Sequence, residues 1–158
     1  MTTYVAVCGA GEATPAEVEV AEAVGRGLAG AGAVVVCGGL GGVMEAACRG
    51  ARRAGGITVG ILPGDDRSTA NPYLTVALPT GLGELRNGLV VRAADAVIAV
   101  GGGYGTLSEI ALALKTRVPV VGLDTWGPSR GGRPVGGVVT AADPDGAVAR
   151  ALRLAGGR

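Results

Sequence analysis

The sequence predicts a single α/β domain built on a doubly wound, mostly parallel sheet with helices on both faces. Two observations predict this class. Short strands made almost entirely of small and branched apolar residues alternate with Ala-rich helical segments along the chain. These strands have no polar face, as strands buried on both sides of a parallel sheet require. The 158 residues suffice for one domain with a full core, so we expect a single domain over 1–158.

The first half of the chain contains four predicted strands and two predicted helices. Thr14, Pro15 and Glu17 form a capping box with proline at the first helical position, which predicts that a helix begins there. Glycines after each predicted helix mark its end. The predicted strands are Tyr4–Cys8, Val34–Cys37, Ile57–Leu62 and a short Leu74–Leu78, and the helices are Pro15–Ala29 and Val43–Ala54.

The second half continues the alternation and ends on a helix. Asp143 followed by Pro144 indicates the start of this last helix, which we expect to end near Ala155. A Gly/Pro/Arg-rich stretch at 126–137 is predicted as a loop. The remaining predicted elements are a helix Glu84–Ala94, a strand Ala96–Val100, a helix Thr106–Lys115, a strand Val118–Leu123 and a short strand Val138–Val139.

Composition narrows the functional classes. Fourteen basic residues stand against 13 acidic ones, so a general nucleic-acid-binding or membrane surface is not expected. The chain lacks His, the commonest general base and metal ligand, and its three cysteines are widely spaced. We therefore expect no metal site and a cytoplasmic location. The uncharged stretch 27–44 has the length of a membrane span, but its glycines favour a helix end, a strand and a loop.

Three predicted strands end in glycine loops that lead into helices, at 9–14, 38–42 and 101–105. In doubly wound sheets, ligands bind beyond the carboxyl ends of the strands. Each loop can present backbone N–H groups and the positive end of a helix to an anion. Tight packing is an alternative explanation for any single loop, but the three together predict a phosphate site.

Two familiar phosphate-binding motifs are not met. Gly9 and Gly11 follow the first strand, but Thr14 stands where the dinucleotide fingerprint has its third glycine. The second strand ends in Cys37 and Gly38, without an acid to bind a ribose hydroxyl. No Gly-Lys-Ser/Thr sequence occurs, so the chain has no P-loop.

Glu109 and Arg86 are the two candidates for chemistry. Glu109 lies one turn inside the helix that follows the third loop, where an acid could face a bound ligand; alternatively, it forms only a capping box with Thr106. Arg86 precedes the strand that leads into this loop. Its alternative role is a surface salt bridge with Glu84 or Asp95.

At these residues the chain resembles the superfamily of the LOG (Lonely Guy) cytokinin-activating enzymes, often labelled "lysine decarboxylase-like". It resembles most the short bacterial branch that is similar to molybdenum-cofactor carrier proteins. The resemblance covers nearly the whole chain and implies a Rossmann-like fold, a homodimer and nucleotide bound on the glycine loops. The stretches that carry it are Gly38–Met44, Asn71–Tyr73, Pro79–Gly81, Arg86–Asn87, Asp95 and Gly101–Glu109.

The resemblance also implies roles for individual residues. LOG enzymes hydrolyse the N-glycosidic bond of a nucleotide with a Pro-Gly-Gly-x-Gly-Thr-x-x-Glu motif and an Arg-Lys pair; here Arg86 and Glu109 match, while Gly101 replaces the proline and Asn87 the lysine. Lysine decarboxylation is not expected, because Lys115, the only lysine, falls late in a helix away from the loops. The predicted ligand-binding residues are Gly9, Gly11, Gly38, Gly39, Gly42, Met44, Asn87, Gly102, Gly103, Tyr104, Gly105 and Thr106.

Two functions therefore remain open. The first is a binding or carrier protein for a phosphorylated nucleotide or pterin, with the molybdenum cofactor as a candidate cargo and no cofactor required by the protein itself. The second is a nucleoside 5′-monophosphate phosphoribohydrolase, in which Glu109 activates water or stabilises the developing positive charge and Arg86 positions the ligand. Binding is the claim that the two share.

Overall fold

The computed structural model describes residues 1–157 and has a seven-stranded, wholly parallel sheet in the order β4-β3-β2-β1-β5-β6-β9. The predicted fold class is confirmed. The strands are β1 (Tyr4–Gly9), β2 (Val34–Cys37), β3 (Thr58–Leu62), β4 (Val76–Pro79), β5 (Ala96–Val100), β6 (Val120–Leu123), β7 (Ser129–Arg130), β8 (Arg133–Pro134) and β9 (Val138–Thr140). The helices are α1 (Pro15–Gly30), α2 (Val43–Arg53), α3 (Asn87–Arg92), α4 (Tyr104–Thr116) and α5 (Pro144–Ala155).

The sheet has an apolar core on each face, which explains why its strands carry no polar face. Along β1, Val5 and Val7 pack into one core, and Ala6 and Cys8 into the other, because successive side chains point to opposite sides of a strand. Helices α1, α2 and α5 cover the first core, and α3 and α4 the second. Successive side chains along a strand therefore enter one core and then the other, and the helices supply small side chains to both cores.

Helices α1 and α2 cross at backbone contact distance. A Cβ atom on Gly25 would lie 1.9 Å from the carbonyl oxygen of Ala47, and one on Gly50 would lie 2.0 Å from the carbonyl oxygen of Glu22. Glu22 also pairs with Arg49 at 2.9 Å and with Arg53 at 2.5 Å. Glycine at 25 and 50 is therefore required by the close approach of the two helices.

Several predicted boundaries are wrong. The predicted helix Glu84–Ala94 is a 3₁₀ turn (Gly83–Arg86) followed by the short α3, because the first turn closes with tighter i to i−3 bonds such as Leu85 N to Leu82 O. The predicted loop at 126–137 contains a small hairpin of β7 and β8, whose turn glycines, Gly131 and Gly132, both have positive φ. The predicted strand Leu74–Leu78 begins two residues later, at Val76.

The uncharged stretch 27–44 divides as the glycines indicated, into the end of α1, β2 and a loop before α2. Within residues 1–157, no helix combines the length and the apolar character needed to cross a membrane.

Candidate functional site

A cavity of about 810 Å³ opens beyond the carboxyl ends of β1 and β5, the two central strands of the sheet. From β1 the chain winds outward through β2, β3 and β4, and it then returns to β5 on the other side of β1. The cavity therefore lies at the point where the winding direction reverses, which is where doubly wound sheets bind their ligands. Its volume is that of a small-molecule site.

The cavity brings together most of the predicted site residues. Those that line it are Gly9, Gly11, Met44, Arg86, Asn87, Gly103, Tyr104, Gly105, Thr106 and Glu109. Four predicted residues, Gly38, Gly39, Gly42 and Gly102, do not line it. The lining also includes residues that the sequence did not indicate: Ala10, Glu12, Leu40, Glu84, Leu85, Gly88, Ser108 and Leu112.

Helix α4 begins two residues earlier than predicted, which changes the interpretation of Thr106 and Glu109. Gly103 is its N-cap residue, and no side chain of residues 1–157 caps the helix. Thr106 thus lies within the first turn, 3% exposed, and the predicted capping box with Glu109 is wrong. The backbone N–H groups of the first turn have no carbonyl partner within the helix, so they stay available at the cavity.

Arg86 is buried, and the predicted alternative of a surface salt bridge with Glu84 or Asp95 is wrong. Its guanidinium donates through Nη2 to the carbonyl oxygen of Gly38 at 3.3 Å and through Nη1 to Oδ1 of Asn87. Its Nε is buried and has no hydrogen-bond partner in the described structure. A buried N–H without a partner is costly, which makes it a candidate donor to a ligand.

A chain of hydrogen bonds joins Arg86 to the first turn of α4. Asn87, which accepts from Arg86, donates through Nδ2 to Oγ of Ser108 at 3.0 Å. Ser108 in turn donates to the carbonyl oxygen of Gly105 at 2.7 Å. These hydrogen bonds fix the position of the guanidinium relative to the start of α4. The guanidinium and the positive end of the helix are therefore held in one orientation relative to each other.

Glu109 is 7% exposed, and both Arg86 and the thiol of Cys8 act on its carboxyl group. Burial raises the pKa of its carboxyl from the ordinary 4.5 to about 7, although the hydrogen bond with Cys8 and the charge of Arg86 both act to lower that pKa. Burial and the neighbouring Glu109 together raise the pKa of Cys8 well above its ordinary value. Glu109 is therefore able to carry a proton at neutral pH, and the thiol is neutral.

Gly38 and Gly39 of the second glycine loop do not line the cavity, whereas Leu40 of the same loop does. A Cβ atom on Gly38 would lie 2.6 Å from Nη2 of Arg86 and 2.9 Å from Sδ of Met44, so glycine is needed for their approach. The N–H of Gly39 donates to Sγ of Cys37 at 3.3 Å and is used within the protein. These contacts explain why Gly38 and Gly39 were singled out by the sequence and yet lie outside the lining.

The charges around the cavity are unbalanced. In the described part of the chain, Arg86 is the one cation in the lining, beside the carboxyl groups of Glu12, Glu84 and Glu109. Glu12 and Glu84 are exposed at the rim. Attraction of an anion therefore depends on Arg86 and on the backbone N–H groups at the start of α4.

Comparison with known proteins places the chain in a family. The model of the SLOG cluster4 family matches residues 2–145, which is most of the chain. The chain belongs to the SLOG cluster4 family. A relative in sequence is an uncharacterized protein of Archaeoglobus fulgidus, 46% identical over 111 residues that cover 70% of this chain and 73% of the relative. The suspected resemblance to the LOG-like branch near the molybdenum-cofactor carriers is confirmed.

Two solved structures resemble this SLOG protein over its whole length. The molybdenum cofactor carrier protein from Chlamydomonas reinhardtii superposes with a TM-score of 0.86 at 33% identity and full coverage of both chains. The molybdenum cofactor binding protein from Rippkaea orientalis superposes with a TM-score of 0.85 at 32% identity and 98% coverage of both chains. The likeness extends through every element that forms the cavity.

Some of the lining residues missed by the sequence analysis carry a signal that helical periodicity could have found. Leu112 follows the predicted residue Glu109 by three positions, and Glu109 follows Gly105 by four, which puts all three on one face of α4. Ser108 is likewise four residues after Tyr104. By contrast, whether Leu40 and Gly88 line the cavity depends on how α2 and α3 pack against the sheet. The sequence has no local signal for this packing.

Proposed function

We propose that the protein binds a phosphorylated pterin and carries it unchanged, with the molybdenum cofactor as its cargo. The observation that carries this proposal is the buried guanidinium of Arg86, whose Nε lacks a partner in a cavity that also contains the start of α4. A phosphate group satisfies such a donor and is favoured at a helix N-terminus. The full-length likeness to two molybdenum-cofactor binding proteins supports the choice of cargo.

In this proposal the phosphate binds the N–H groups of Gly103, Tyr104 and Gly105, and Arg86 donates to it from the other side. The fused rings then occupy the part of the cavity near Met44, Leu40 and the first glycine loop, where apolar and backbone surfaces predominate. No residue of the lining is required to make or break a covalent bond. The protein's contribution is binding and exclusion of water.

The experiment that tests the proposal measures binding of isolated molybdenum cofactor to the wild-type protein and to Arg86→Met. The substitution keeps most of the buried length of the side chain but removes the donors. We expect wild type to bind the cofactor and Arg86→Met to bind about 10- to 100-fold more weakly, because a hydrogen bond to a charged group contributes about 1.5–3 kcal/mol. Ligand fluorescence or calorimetry gives the affinities.

The matched control is Arg92→Met, since Arg92 is an exposed arginine at the end of α3. Its affinity is expected to equal that of wild type. Absence of cofactor binding by wild type contradicts the proposed cargo. Equal affinities of the two arginine variants would remove Arg86 from the site.

A second function, hydrolysis of nucleoside 5′-monophosphates, is favoured by one observation, the pKa of Glu109 near 7 beside a cation in a ligand-sized cavity. An acid with such a pKa can donate or accept a proton at neutral pH. Release of ribose 5-phosphate by wild type and its loss in Glu109→Gln would favour hydrolysis. Absence of turnover with a panel of monophosphates favours the carrier.

A further inference from the structure

Trp126, which the sequence analysis did not single out, contacts the third glycine loop from outside the cavity. It follows β6, and its indole Nε1 lies 3.0 Å from the carbonyl oxygen of Gly102 and 3.1 Å from that of Gly103. It lines a separate pocket of about 490 Å³ between β6 and the β7–β8 hairpin. Gly103 and Tyr104 line the main cavity, and Trp126 does not.

The direction of these two carbonyl groups determines the direction of the next two N–H groups. In a planar trans peptide, the C=O of one residue and the N–H of the following residue point in opposite directions. The described chain has no cis peptide bond. Since the carbonyl groups of Gly102 and Gly103 accept from Trp126, the N–H groups of Gly103 and Tyr104 point away from it, and both residues line the main cavity.

Trp126 adds to two backbone hydrogen bonds that hold this loop, from the N–H of Gly101 to the carbonyl oxygen of Leu123 at 3.0 Å and from the N–H of Leu107 to that of Gly103 at 3.1 Å. Gly101 and Gly102 both have positive φ, at 51° and 101°, and glycine peptides rotate easily. Thr125 donates to the carbonyl oxygen of Gly101 at 2.5 Å, and the Tyr104 ring stacks on Trp126 with centroids 5.9 Å apart. The segment 125–126 thus binds three successive carbonyl groups of the loop.

We infer that Trp126 is a positioning residue for anion binding: its indole N–H holds the peptide groups of the loop so that the N–H groups of Gly103 and Tyr104 meet the ligand's phosphate. The inference rests on the proposed function, because it concerns the same phosphate. It differs from a merely structural role in predicting an effect on anion affinity and on particular amide resonances while the fold stays intact.

The test is a titration of ¹⁵N-labelled protein with inorganic phosphate, followed by two-dimensional NMR. In wild type we expect the amide resonances of Gly103 and Tyr104 to shift on binding. Trp126→Phe keeps an aromatic ring beside Tyr104 but loses the donor. We expect it to bind phosphate about tenfold more weakly, an effect of the size of one hydrogen bond, with much smaller shifts at these two amides.

A second variant removes the donor without changing the shape of the side chain. Trp126 is the only tryptophan, so a benzothiophene analogue of tryptophan supplied to an auxotrophic host replaces this residue alone. The control is Thr116→Val, which deletes a hydroxyl that donates at 2.8 Å to a carbonyl group near the other end of α4. The control is expected to bind phosphate as wild type does.

The outcomes separate the inference from the proposed function. Weaker binding by the analogue, with an unchanged Thr116→Val control, supports the inference even if Trp126→Phe does not fold. Binding by the analogue equal to that of wild type overturns the inference and leaves the phosphate site in place. Absence of phosphate binding by wild type overturns the phosphate site and the inference with it.

Discussion

Glu109 shows how one residue can serve either of two functions. Its carboxyl is buried beside Arg86, yet burial outweighs that charge and raises its pKa to about 7. For a carrier, a neutral carboxyl avoids repulsion of the phosphate. For a hydrolase, the same pKa supplies a proton donor or acceptor at neutral pH. The pKa of Glu109 is therefore compatible with both functions, and a test for turnover distinguishes them.

The pKa of Glu109 predicts how stability depends on pH. The folded protein keeps this proton up to about pH 7, whereas the unfolded chain loses it near 4.5. The folded state therefore binds more protons between these values, and the free energy of unfolding should fall as pH rises through that window. The loss amounts to up to about 3 kcal/mol above pH 7. Urea denaturation at pH 5 and pH 8 measures it.

Glu109→Gln removes this titration, so the free energy of unfolding of the variant should depend less on pH. At pH 8 the variant should be more stable than wild type. An equivalent change at Glu19, an exposed carboxyl on α1, should keep the wild-type dependence. A loss of stability in Glu109→Gln at pH 8 would contradict the pKa assignment. No loss of a helix cap accompanies this substitution, because no side chain of the described residues caps α4.

At the scale of elements, the crossing of α1 and α2 is the contact with least tolerance. Both helices lie on the same face of the sheet, and α2 starts from the loop that supports Arg86. The Gly25 and Gly50 positions leave no room for a methyl group against the facing backbone. A change at this crossing should therefore act on the whole fold and, through α2, on the cavity.

Gly25→Ala is expected to lower the free energy of unfolding by about 1–3 kcal/mol, because the added methyl overlaps the carbonyl group of Ala47. Gly30→Ala is the matched control. Gly30 is the last residue of α1, and a Cβ atom there would have no other atom within 4 Å. It should raise the same free energy by up to about 1 kcal/mol. Equal stabilities of the two variants in thermal or urea denaturation would refute the close crossing.

The sequence predicted the strands and helices well where pattern and chain geometry agree. The apolar strands Val34–Cys37 and Ala96–Val100 are unambiguous, and the capping box at Thr14 marks the start of α1 correctly. The equally convincing Thr106–Glu109 pattern is wrong, because burial of Thr106 and Glu109 against the sheet takes precedence over capping. Tertiary contacts, which no local pattern contains, also decided the burial of Arg86 and the contact made by Trp126.

At the scale of the molecule, three exposed leucine side chains fall within one short segment of the chain. Leu82, Leu85 and Leu89 are 47%, 80% and 42% exposed and are spaced by three and four residues. We predict that this segment, which we call the leucine ridge, forms the interface of a homodimer, as the resemblance implied. An exposed ridge of this kind is typical of an interaction surface.

Light scattering at high micromolar concentration should give twice the mass of one chain. The combined substitution Leu82→Asp and Leu89→Asp should give the mass of a single chain, because two charges would be buried at the interface. Ile57→Asp is the control, since Ile57 is 51% exposed just before β3, outside the leucine ridge. A monomeric wild type would exclude the predicted dimer.

The central place of β1 in the sheet has a consequence for how the protein folds. β1 pairs with β2, which is near in sequence, and with β5, about ninety residues away. Until Ala96–Val100 has been synthesised, one edge of β1 has no partner, and the cavity lacks a wall. Such an edge is a template for pairing between chains. A nascent chain that stops before β5 would therefore be prone to aggregate, and ligand could assist folding only after α4 has emerged.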